Sequence, residues 1–514
     1  MMCIKSSPLS SPEISSKKRF TGLTILNITS CSNRRVCLVM ICLLWLGVAT
    51  NGISQTFDPN LDQQLTLALD DERISRNLTG ISAAVIVPEQ GLWAGVSGFS
   101  VPEDSISLHP DMLFGVASVT KTFTSALVLQ LAEEGRLSLD DSLANWLPAF
   151  ENIDSTITIR QLLNHTSGVY DYAFHPDIFI ATFTNPFRYW QPEEILQEFI
   201  EAPVFEPGAS WSYSNTNYIL LGMIIKLATG TEIAGEFHQR FFEPLSLQET
   251  FFLPEDTLIG TVSHNWLDIT GNGELNDLSG FPRTAIYSLA WAAGGIVSKP
   301  ENIVRWSHAL FSGDVLSPES MNEMLSFVDL NSSLFSGYGL GVMRYNLVGR
   351  DVWGHSGLVP GYRSAMYYSP QDDISIVVLI NQNPAEPVSI VSTLLEVILQ
   401  SDPTGIADVS DDPVSSEFTL FQNYPNPFNP ETTIEYHLLS SAIVNLTVYN
   451  NLGERVRVLV KDHQPPGTNA VVWDGKDDFG NPVSSGVYFY NLGIVEPGQQ
   501  PGNALQTRKM VLIR

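Results

Sequence analysis

The sequence predicts an α/β (α+β) fold, in which an antiparallel sheet is flanked by helices, followed by a small all-β sandwich. Three observations carry this prediction. Short apolar, strand-like runs lie at both ends of residues 57–400. Helix-period patterns fill the interval between them, which favours one sheet built from the two ends with a helical insertion. Beyond residue 417, short β-rich segments alternate with Gly, Pro and Asn turns, the pattern of a small sandwich.

The strand predictions rest on apolar runs bounded by turn residues. Residues 81–88 and 91–99 are two such runs separated by two polar residues, which indicates a hairpin. Near the end of the region, residues 364–368 and 374–380 are strand-like on either side of a short polar turn. These four segments are expected to be strands of the same sheet.

Two helices are predicted between these strands. Residues 122–134 repeat apolar side chains at four-residue spacing, and Gly135 ends the pattern. Residues 218–228 form a second apolar pattern, which ends before Gly230. The first of these helices begins directly after the candidate catalytic pair described below.

Length, composition and charge limit the classes of function. With 514 residues, of which 44% are apolar and 16% charged, the chain is long enough for two or three folded units and lacks the composition of a disordered protein. Its net charge of −28 argues against a nucleic acid or an anionic membrane as partner, because both would repel such a surface. A neutral or cationic small substrate is compatible with this charge.

Residues 1–55 have the pattern of a basic leader and signal peptide. The apolar run 36–49 directly follows Arg34 and Arg35 and precedes small and polar residues. A membrane anchor is the alternative, but the run is shorter than the roughly 20 residues that a spanning helix needs. Removal of this segment would leave a mature protein without thiols, because it contains every cysteine of the chain: Cys3, Cys31, Cys37 and Cys42.

A domain boundary is predicted at residues 401–417. This stretch is rich in Asp, Ser and Pro and lacks periodicity, which indicates an extended linker. It separates the main region, 57–400, from a C-terminal module, 418–514. The module shows no residue pattern that supports catalysis, so the chemistry is expected in the main region.

Ser118 and Lys121 are the first candidate catalytic pair. They stand three residues apart at the start of the predicted helix, a spacing that places both side chains on one helix face. A serine hydroxyl needs a base to take its proton, and a lysine with a pKa lowered by desolvation can serve. Since Ser15 and Lys18 have the same spacing, a helix-capping serine with a solvated lysine remains the alternative.

Tyr213 and Asn215 form the second candidate element. They follow a Pro-Gly turn and precede the second predicted helix, and alternate residues of an extended loop project the same way. A tyrosine near cationic groups can accept or return a proton, and an amide can bind both substrate and lysine. The alternative is a turn with a packed tyrosine.

The third element is His355, Ser356 and Gly357, at the start of a predicted strand. A histidine there can relay a proton or hold the tyrosine hydroxyl, and a glycine lets a substrate backbone lie close to the strand. It is the only H-x-G sequence in the chain. His165, in the segment LLNHTSG, is interpreted as structural.

In this order, the three elements resemble the serine β-lactamase and penicillin-binding-protein superfamily, in particular its class C β-lactamase and D-alanyl-D-alanine carboxypeptidase branch. The resemblance covers nearly all of residues 60–395, including FEPGASWSYSNTNYILLG and GHSGLVPGYRSAMYYSP. It implies a β-lactamase/transpeptidase-like fold with a helical subdomain beside the sheet.

The resemblance also implies the catalytic roles. Ser118 would form the acyl-enzyme, and Lys121 and Tyr213 would shuttle the proton. His355 is a departure, because class C β-lactamases have a lysine at this position, whereas some carboxypeptidases, D-aminopeptidases and esterases of the branch have histidine. The histidine therefore favours a peptidase or an esterase over a dedicated β-lactamase.

The implied binding residues lie on the second and third elements. The Asn215 side chain would orient the substrate amide. The backbone N–H groups of Ser118 and Leu358 would hold the oxyanion, and Ser356 and Gly357 would belong to the substrate-binding strand. No metal or other cofactor is expected in this mechanism.

The leading hypothesis is an exported serine hydrolase acting on a small peptide, ester or β-lactam. D-alanyl-D-alanine carboxypeptidase, D-amino-acid peptidase or esterase activity is favoured. A class C-like β-lactamase is one alternative. A non-catalytic, penicillin-binding-like surface protein is another, but such a protein does not need all of the proposed catalytic side chains.

Residues 418–514 resemble the type A sorting domain of the type IX secretion system. The segment NYPNPFNP at 423–430 and the terminal KMVLIR carry this resemblance. It implies the type IX secretion machinery as partner and a secreted, cell-surface or outer-membrane location reached through the periplasm. The alternative is a carbohydrate-binding or adhesive sandwich, with Trp473 and Tyr488 as candidate aromatic platform.

Overall fold

The computed structural model describes residues 57–330, 335–401, 418–420, 423, 428–438, 441–450, 455–495 and 505–512. The predicted leader, 1–55, and residues 402–417 of the predicted linker lie outside the described residues. The chain divides into two compact units, Met1–Pro403 and Thr404–Arg514.

The first unit contains both helices and strands. Its helices are α1 (Pro59–Ser75), α2 (Thr120–Glu133), α3 (Ile159–Leu163), α4 (Ile178–Thr184), α5 (Pro192–Glu198), α6 (Asn215–Thr229), α7 (Ile233–Phe237), α8 (Thr284–Gly294), α9 (Pro300–Ser312), α10 (Pro318–Met324) and α11 (Pro387–Ser401). Its longer strands are β1 (Gly80–Val87), β2 (Gly91–Val101), β11 (Met343–Leu347), β12 (Arg350–Val359), β13 (Tyr362–Ser369) and β14 (Ile374–Ile380). The shorter strands are β3 (Ile106–Ser107), β4 (Phe114–Gly115), β5 (Phe251–Phe252), β6 (Trp266–Leu267), β7 (Asn276–Asp277), β8 (Ile296–Ser298), β9 (Val328–Asp329), β10 (Gly337–Tyr338) and β15 (Gln382–Asn383).

The main sheet is built from the two ends of this unit. Its nine strands have the order β3-β2-β1-β14-β13-β12-β11-β10-β9. At the centre, β1 pairs antiparallel with β14, with Ile81 opposite Ile380. The hairpin closes with Val87 opposite Gly91. The predicted antiparallel sheet with a helical insertion is confirmed.

Both faces of the sheet are buried. Successive side chains of a strand point to opposite faces, so alternate residues of β14 belong to different apolar clusters. On β14, Val377 and Leu379 belong to the apolar cluster that contains α2 and α6. Ile376 and Val378 belong to a second cluster, formed with α1 and α11. This arrangement explains why β14 reads as a continuous apolar run rather than an alternating one.

Helix α2 crosses the core beneath the sheet and is buried on almost every side. Phe123 stacks on Trp306 with ring centroids 3.8 Å apart. The helix begins at Thr120, two residues before the predicted start, because a 3₁₀ turn at Ala117–Val119 leads directly into it. Ser118 therefore stands in a turn packed against the core.

Helix α6 begins at Asn215, three residues before its predicted start, and ends at Gly230 with φ of 77°. The left-handed glycine is the residue type that ends a helix at lowest cost. Within the described residues, no single helix has the length and apolar composition to cross a membrane, although the bent pair Asn215–Thr229 and Ile233–Phe242 meets both criteria together.

The second unit is all-β in its described residues. Its strands are β16 (Phe418–Leu420), β17 (Thr432–Leu438), β18 (Ala442–Asn450), β19 (Arg455–Gln464), β20 (Gly467–Trp473), β21 (Gly486–Val495) and β22 (Leu505–Leu512). They form a three-stranded and a four-stranded antiparallel sheet, whose side chains share one apolar core. This confirms the predicted small all-β region.

The candidate aromatic platform of this unit lies in its core. Trp473 is 0% exposed and Tyr488 5% exposed, and their rings contact each other with centroids 5.3 Å apart. The Trp473 indole N–H donates to the Lys476 carbonyl. The burial of both rings agrees with the interpretation of them as core residues and does not support the alternative of a carbohydrate platform.

Candidate active site

The turn that carries Ser118 lies against the edge of strand β12. A Cβ on Gly357 would overlap the Val116 carbonyl oxygen, so only glycine permits this close approach. The Ser364 hydroxyl on β13 donates to the same carbonyl, at 2.7 Å. Ala117 has φ of 49°, a left-handed conformation that costs free energy outside glycine. Packing against the sheet thus holds the turn in the conformation that presents Ser118.

Lys121 is completely buried, and the structure brings it to Ser118 as predicted from their spacing. Its Nζ lies 3.1 Å from Ser118 Oγ, 2.8 Å from Asn215 Oδ1 and 2.7 Å from the Ala293 carbonyl oxygen. A solvated lysine beside a capping serine is thereby ruled out for this pair, since Lys121 has 0% exposure.

The environment of Lys121 suits a general base. Burial lowers its pKa to about 7, although the Asp171 carboxylate acts in the opposite direction. A neutral amine has two N–H donors and one lone pair. Asn215 Oδ1 and the Ala293 carbonyl can only accept, so they take the two N–H groups. The lone pair is then left to accept the Ser118 proton.

Tyr213 lies beside this pair. Burial raises its pKa well above the usual value, and the interaction with Ser118 only partly offsets that rise. Lys121 Nζ is 5.0 Å from the centre of the Tyr213 ring. The phenol therefore stays protonated at neutral pH, which makes Lys121 rather than Tyr213 the base. Tyr213 is placed to donate a proton.

The Asn215 side chain is held between Lys121 and Asp171. Its Nδ2 donates to the Asp171 carboxylate, 3.0 Å from Oδ2, while its Oδ1 accepts from Lys121. Its predicted role in orienting a substrate amide stays a prediction, because its amide already bridges Lys121 and Asp171.

Asp171 was not found from the sequence. Burial raises the pKa of its carboxyl, against the opposing effect of hydrogen bonds and of Lys121. The only local signal is a single acidic residue within the aromatic segment GVYDYAF. Because its charge favours the protonated lysine, Asp171 keeps the Lys121 pKa from falling further.

His355 belongs to a directed chain of hydrogen bonds. The Ser214 backbone N–H donates to His165 Nδ1, 3.2 Å away, so the proton of neutral His165 is on Nε2. That nitrogen lies 3.1 Å from the Tyr338 hydroxyl, which lies 3.0 Å from His355 Nε2. His355 Nδ1 lies 2.6 Å from the Ser356 carbonyl oxygen, an obligate acceptor. The donors therefore all point from His165 through Tyr338 to His355.

This chain of hydrogen bonds fixes the protonation state of both histidines. Burial and the neighbouring Lys121 lower the pKa of His355 to about 3, and burial lowers that of His165 well below its usual value. Both rings are therefore neutral at neutral pH. The hydroxyl that His355 contacts is that of Tyr338, not that of Tyr213, so a proton relay to Tyr213 stays a prediction.

His165 lies closer to the site than its sequence suggested. Its ring packs on Tyr213 with centroids 4.3 Å apart. The sequence interpretation as a structural residue is compatible with this contact, but the ring also links Tyr213 to Tyr338. Tyr338 has no sequence signal, since its partners come from distant parts of the chain.

The structure separates the predicted binding residues of β12. The predicted role of Ser356 in the substrate-binding strand stays a prediction, and its hydroxyl is directed at Met343 Sδ, 3.7 Å away, and not at Ser118. The reason is the alternation of the strand, which turns Ser356 away from the face of His355 and Gly357. Leu358 does line the same cavity as Ser118.

The Ala293 carbonyl is a further site group that the sequence did not reveal. Helix α8 is kinked at Trp291, with φ of 34° and ψ of −124°. After the kink, the Ala292 carbonyl accepts from Thr124 and the Ala293 carbonyl accepts from Lys121. The break in the helix thus supplies the acceptor that orients the lysine.

This fold and this site define a class of protein, the serine hydrolases in which a lysine stands three residues after the nucleophile. The chain belongs to the Beta-lactamase family, whose model matches residues 55–397. A second model, for the FlgD Ig-like domain, matches residues 429–493 in the other unit.

Several known proteins are similar to part of the chain. Penicillin-binding protein 4* of Bacillus subtilis (strain 168) is 30% identical over 291 residues, which make up 52% of this chain and 60% of that protein. The crystal structure of a D-stereospecific amidohydrolase from Streptomyces sp. is 31% identical, with a TM-score of 0.58, and covers 66% of this chain and 98% of that one. The D-amino acid amidase from Ochrobactrum anthropi SV3 complexed with D-phenylalanine is 26% identical, with a TM-score of 0.60, over 67% of this chain and 100% of that one.

Proposed function

We propose that the protein is an exported serine hydrolase that forms an acyl-enzyme on Ser118 and acts on D-amino-acid peptides, or on amides and esters of similar shape. The observation that carries the proposal is the 3.1 Å contact between Ser118 Oγ and the buried Nζ of Lys121. A protein that only binds its ligand does not need a buried lysine with a lowered pKa beside a serine.

The reaction follows from the site. Neutral Lys121 takes the proton of Ser118 as Oγ bonds to the substrate carbonyl carbon. The backbone N–H groups of Ser118 and Leu358 would hold the oxyanion, each contributing about 3 kcal/mol. The bond to the leaving group breaks as that group takes a proton from Tyr213, which is replenished from Lys121. Water then attacks the acyl carbon, gives its proton to the same pair, and Ser118 Oγ leaves with a proton.

The substrate class is supported by the similar proteins. Two solved structures that resemble about two thirds of this chain are named a D-stereospecific amidohydrolase and a D-amino acid amidase. His355, where class C β-lactamases have lysine, favours such a substrate over a β-lactam. Class C-like β-lactamase activity and non-catalytic penicillin binding remain the alternatives.

Covalent labelling of the full chain tests the nucleophile. A fluorophosphonate and a fluorescent penicillin should each be examined, with the labelled peptide mapped by mass spectrometry. We expect the fluorophosphonate to label the peptide that contains Ser118, and Ser118→Ala to remove the label. Labelling that persists in the variant would contradict this assignment, and labelling by the penicillin with rapid release would favour the β-lactamase alternative.

We further propose that the second unit directs export through the type IX secretion machinery, to the cell surface or the medium. The resemblance of 418–514 to a type A sorting domain and the signal-like pattern of 1–55 support this. In a host with that machinery, the full chain should reach the surface or medium, whereas a chain lacking 418–514 should stay in the periplasm. Equal export of the two chains would refute the sorting role.

A further inference from the structure

A cavity of about 370 Å³ opens beside the nucleophile. It is lined by Ser118, by Ile178 and Phe183 of α4, by Leu289 of α8 and by Leu358 of β12, among others. Among the described residues that line it, none carries a charged side chain. The space next to the reacting serine is therefore bounded mainly by apolar atoms.

The polar side chains that line the cavity are already engaged with the protein. The Tyr172 hydroxyl donates to the Leu289 carbonyl, at 2.6 Å. The Thr182 hydroxyl donates to the Ile178 carbonyl, at 2.7 Å. Asn215 bridges Lys121 and Asp171, as described above. Among the polar side chains that line the cavity, Ser118 is thus the one available to react with a ligand.

The mouth of the cavity continues the apolar lining outward. Leu358 lines the cavity and is nevertheless 54% exposed. Apolar side chains in this position lose water when an apolar group enters, which is favourable in proportion to the area covered.

A charged group would meet the opposite situation. A carboxylate or an ammonium placed in the cavity would lose its hydration without a counter-ion on the walls, and such burial is costly. Asp171 is the nearest carboxylate by sequence to the lining residues Tyr172 and Ala173, but it is 6% exposed and hydrogen-bonded to Asn215.

We propose that the acyl group accepted by this site is bulky, apolar and uncharged, such as an N-blocked D-amino acid with an aromatic side chain. The proposal rests on the hydrolase function proposed above and narrows its substrate class. It sets the site apart from one that binds an acyl group with a carboxylate, and from one that binds an acyl group with a free α-ammonium.

Substrates that share D-phenylalanine and the leaving group but differ in the charge of the N-substituent provide the test. The p-nitroanilides of N-acetyl-D-phenylalanine, N-succinyl-D-phenylalanine and D-phenylalanine carry no charge, a carboxylate and an ammonium, respectively. With the full chain, we expect kcat/KM for the uncharged compound to exceed both others by at least about tenfold. A preference for either charged compound would overturn the proposal. A preference for the ammonium compound would indicate that Asp171 binds the amine.

A variant adds the charge that the cavity lacks. Ala173 is exposed and lines the cavity, so Ala173→Arg places a cation at its mouth. We expect this variant to raise kcat/KM for the N-succinyl compound several-fold relative to the N-acetyl compound. Ala173→Met, similar in length but uncharged, should leave this ratio unchanged. An equal change of the ratio in both variants would contradict the charge argument.

Two p-nitrophenyl esters separate this proposal from the function on which it rests. The butyrate ester is uncharged and the succinate half-ester carries a carboxylate, and neither is a D-amino acid. A preference for butyrate without turnover of any anilide would support the uncharged cavity and refute the D-amino-acid substrate. Absence of both turnover and fluorophosphonate labelling would refute the hydrolase function itself.

Discussion

Replacing Lys121 by methionine is expected to lower kcat/KM by about 10³-fold or more, within the range measured for loss of a general base. The lysine pKa of about 7 also sets the pH dependence. Because the neutral amine is the active form, wild-type activity should rise as pH increases through about 7 and fall below it. Lys121→Met should lose this acid limb, which kcat/KM measured from pH 5 to 9 will show.

A second lysine provides the matched control. Lys299 is paired with Glu249 at 2.7 Å and lies outside the catalytic cluster. Lys299→Met should retain both the activity and the acid limb. The thermal unfolding midpoint of Lys121→Met must also be measured, since the Ala293 carbonyl and Asn215 lose a donor, a loss of about 1–3 kcal/mol per buried unsatisfied group. A folded Lys121→Met variant with an unchanged pH profile would refute the role of Lys121 as base.

The parts of the site that could be predicted from the sequence depend on local geometry. Ser118 and Lys121 are one helical turn apart, so their proximity follows from the helix itself. The central strands were predicted because their apolar runs are short and bounded by turns. The long apolar run of β14 is buried on both faces, which local pattern alone does not distinguish from a buried helix.

The remaining parts depend on contacts between distant segments. Asp171 reaches Asn215 across 44 residues, and Tyr338 joins His165 to His355. No spacing rule relates such residues. The kink at Trp291 could not be predicted from the sequence either. An apolar segment with two glycines at its end is compatible with an uninterrupted helix or with a broken one.

The position of the Ser356 side chain depends on the strand that carries it. The sequence predicted that the H-S-G segment leads into a strand, whereas the structure places it inside β12, and the binding roles of Ser356, Gly357 and Leu358 stay predictions. Gly357 lies against Val116 on the face of β12 that also carries His355, and alternation directs the Ser356 side chain to the opposite face. The contribution of Ser356 is its carbonyl oxygen, which holds His355.

Replacing Tyr213 by phenylalanine is expected to affect amides far more than activated esters. Burial keeps the Tyr213 hydroxyl protonated, so it can supply the proton that an amine leaving group requires. We expect kcat/KM for an amide to fall by about 10²- to 10⁴-fold. A p-nitrophenyl ester of the same acyl group should lose much less, because p-nitrophenolate leaves without a proton.

Tyr172 offers a matched control for this experiment. It is a buried tyrosine that lines the cavity beside Ser118, and its hydroxyl donates to the Leu289 carbonyl. Tyr172→Phe should change amide and ester turnover in equal proportion, because its hydroxyl has no path to the leaving group. If Tyr213→Phe also lowered both substrates equally, Tyr213 would act by holding Ser118 in place, and the proton of the leaving group would have to come directly from Lys121.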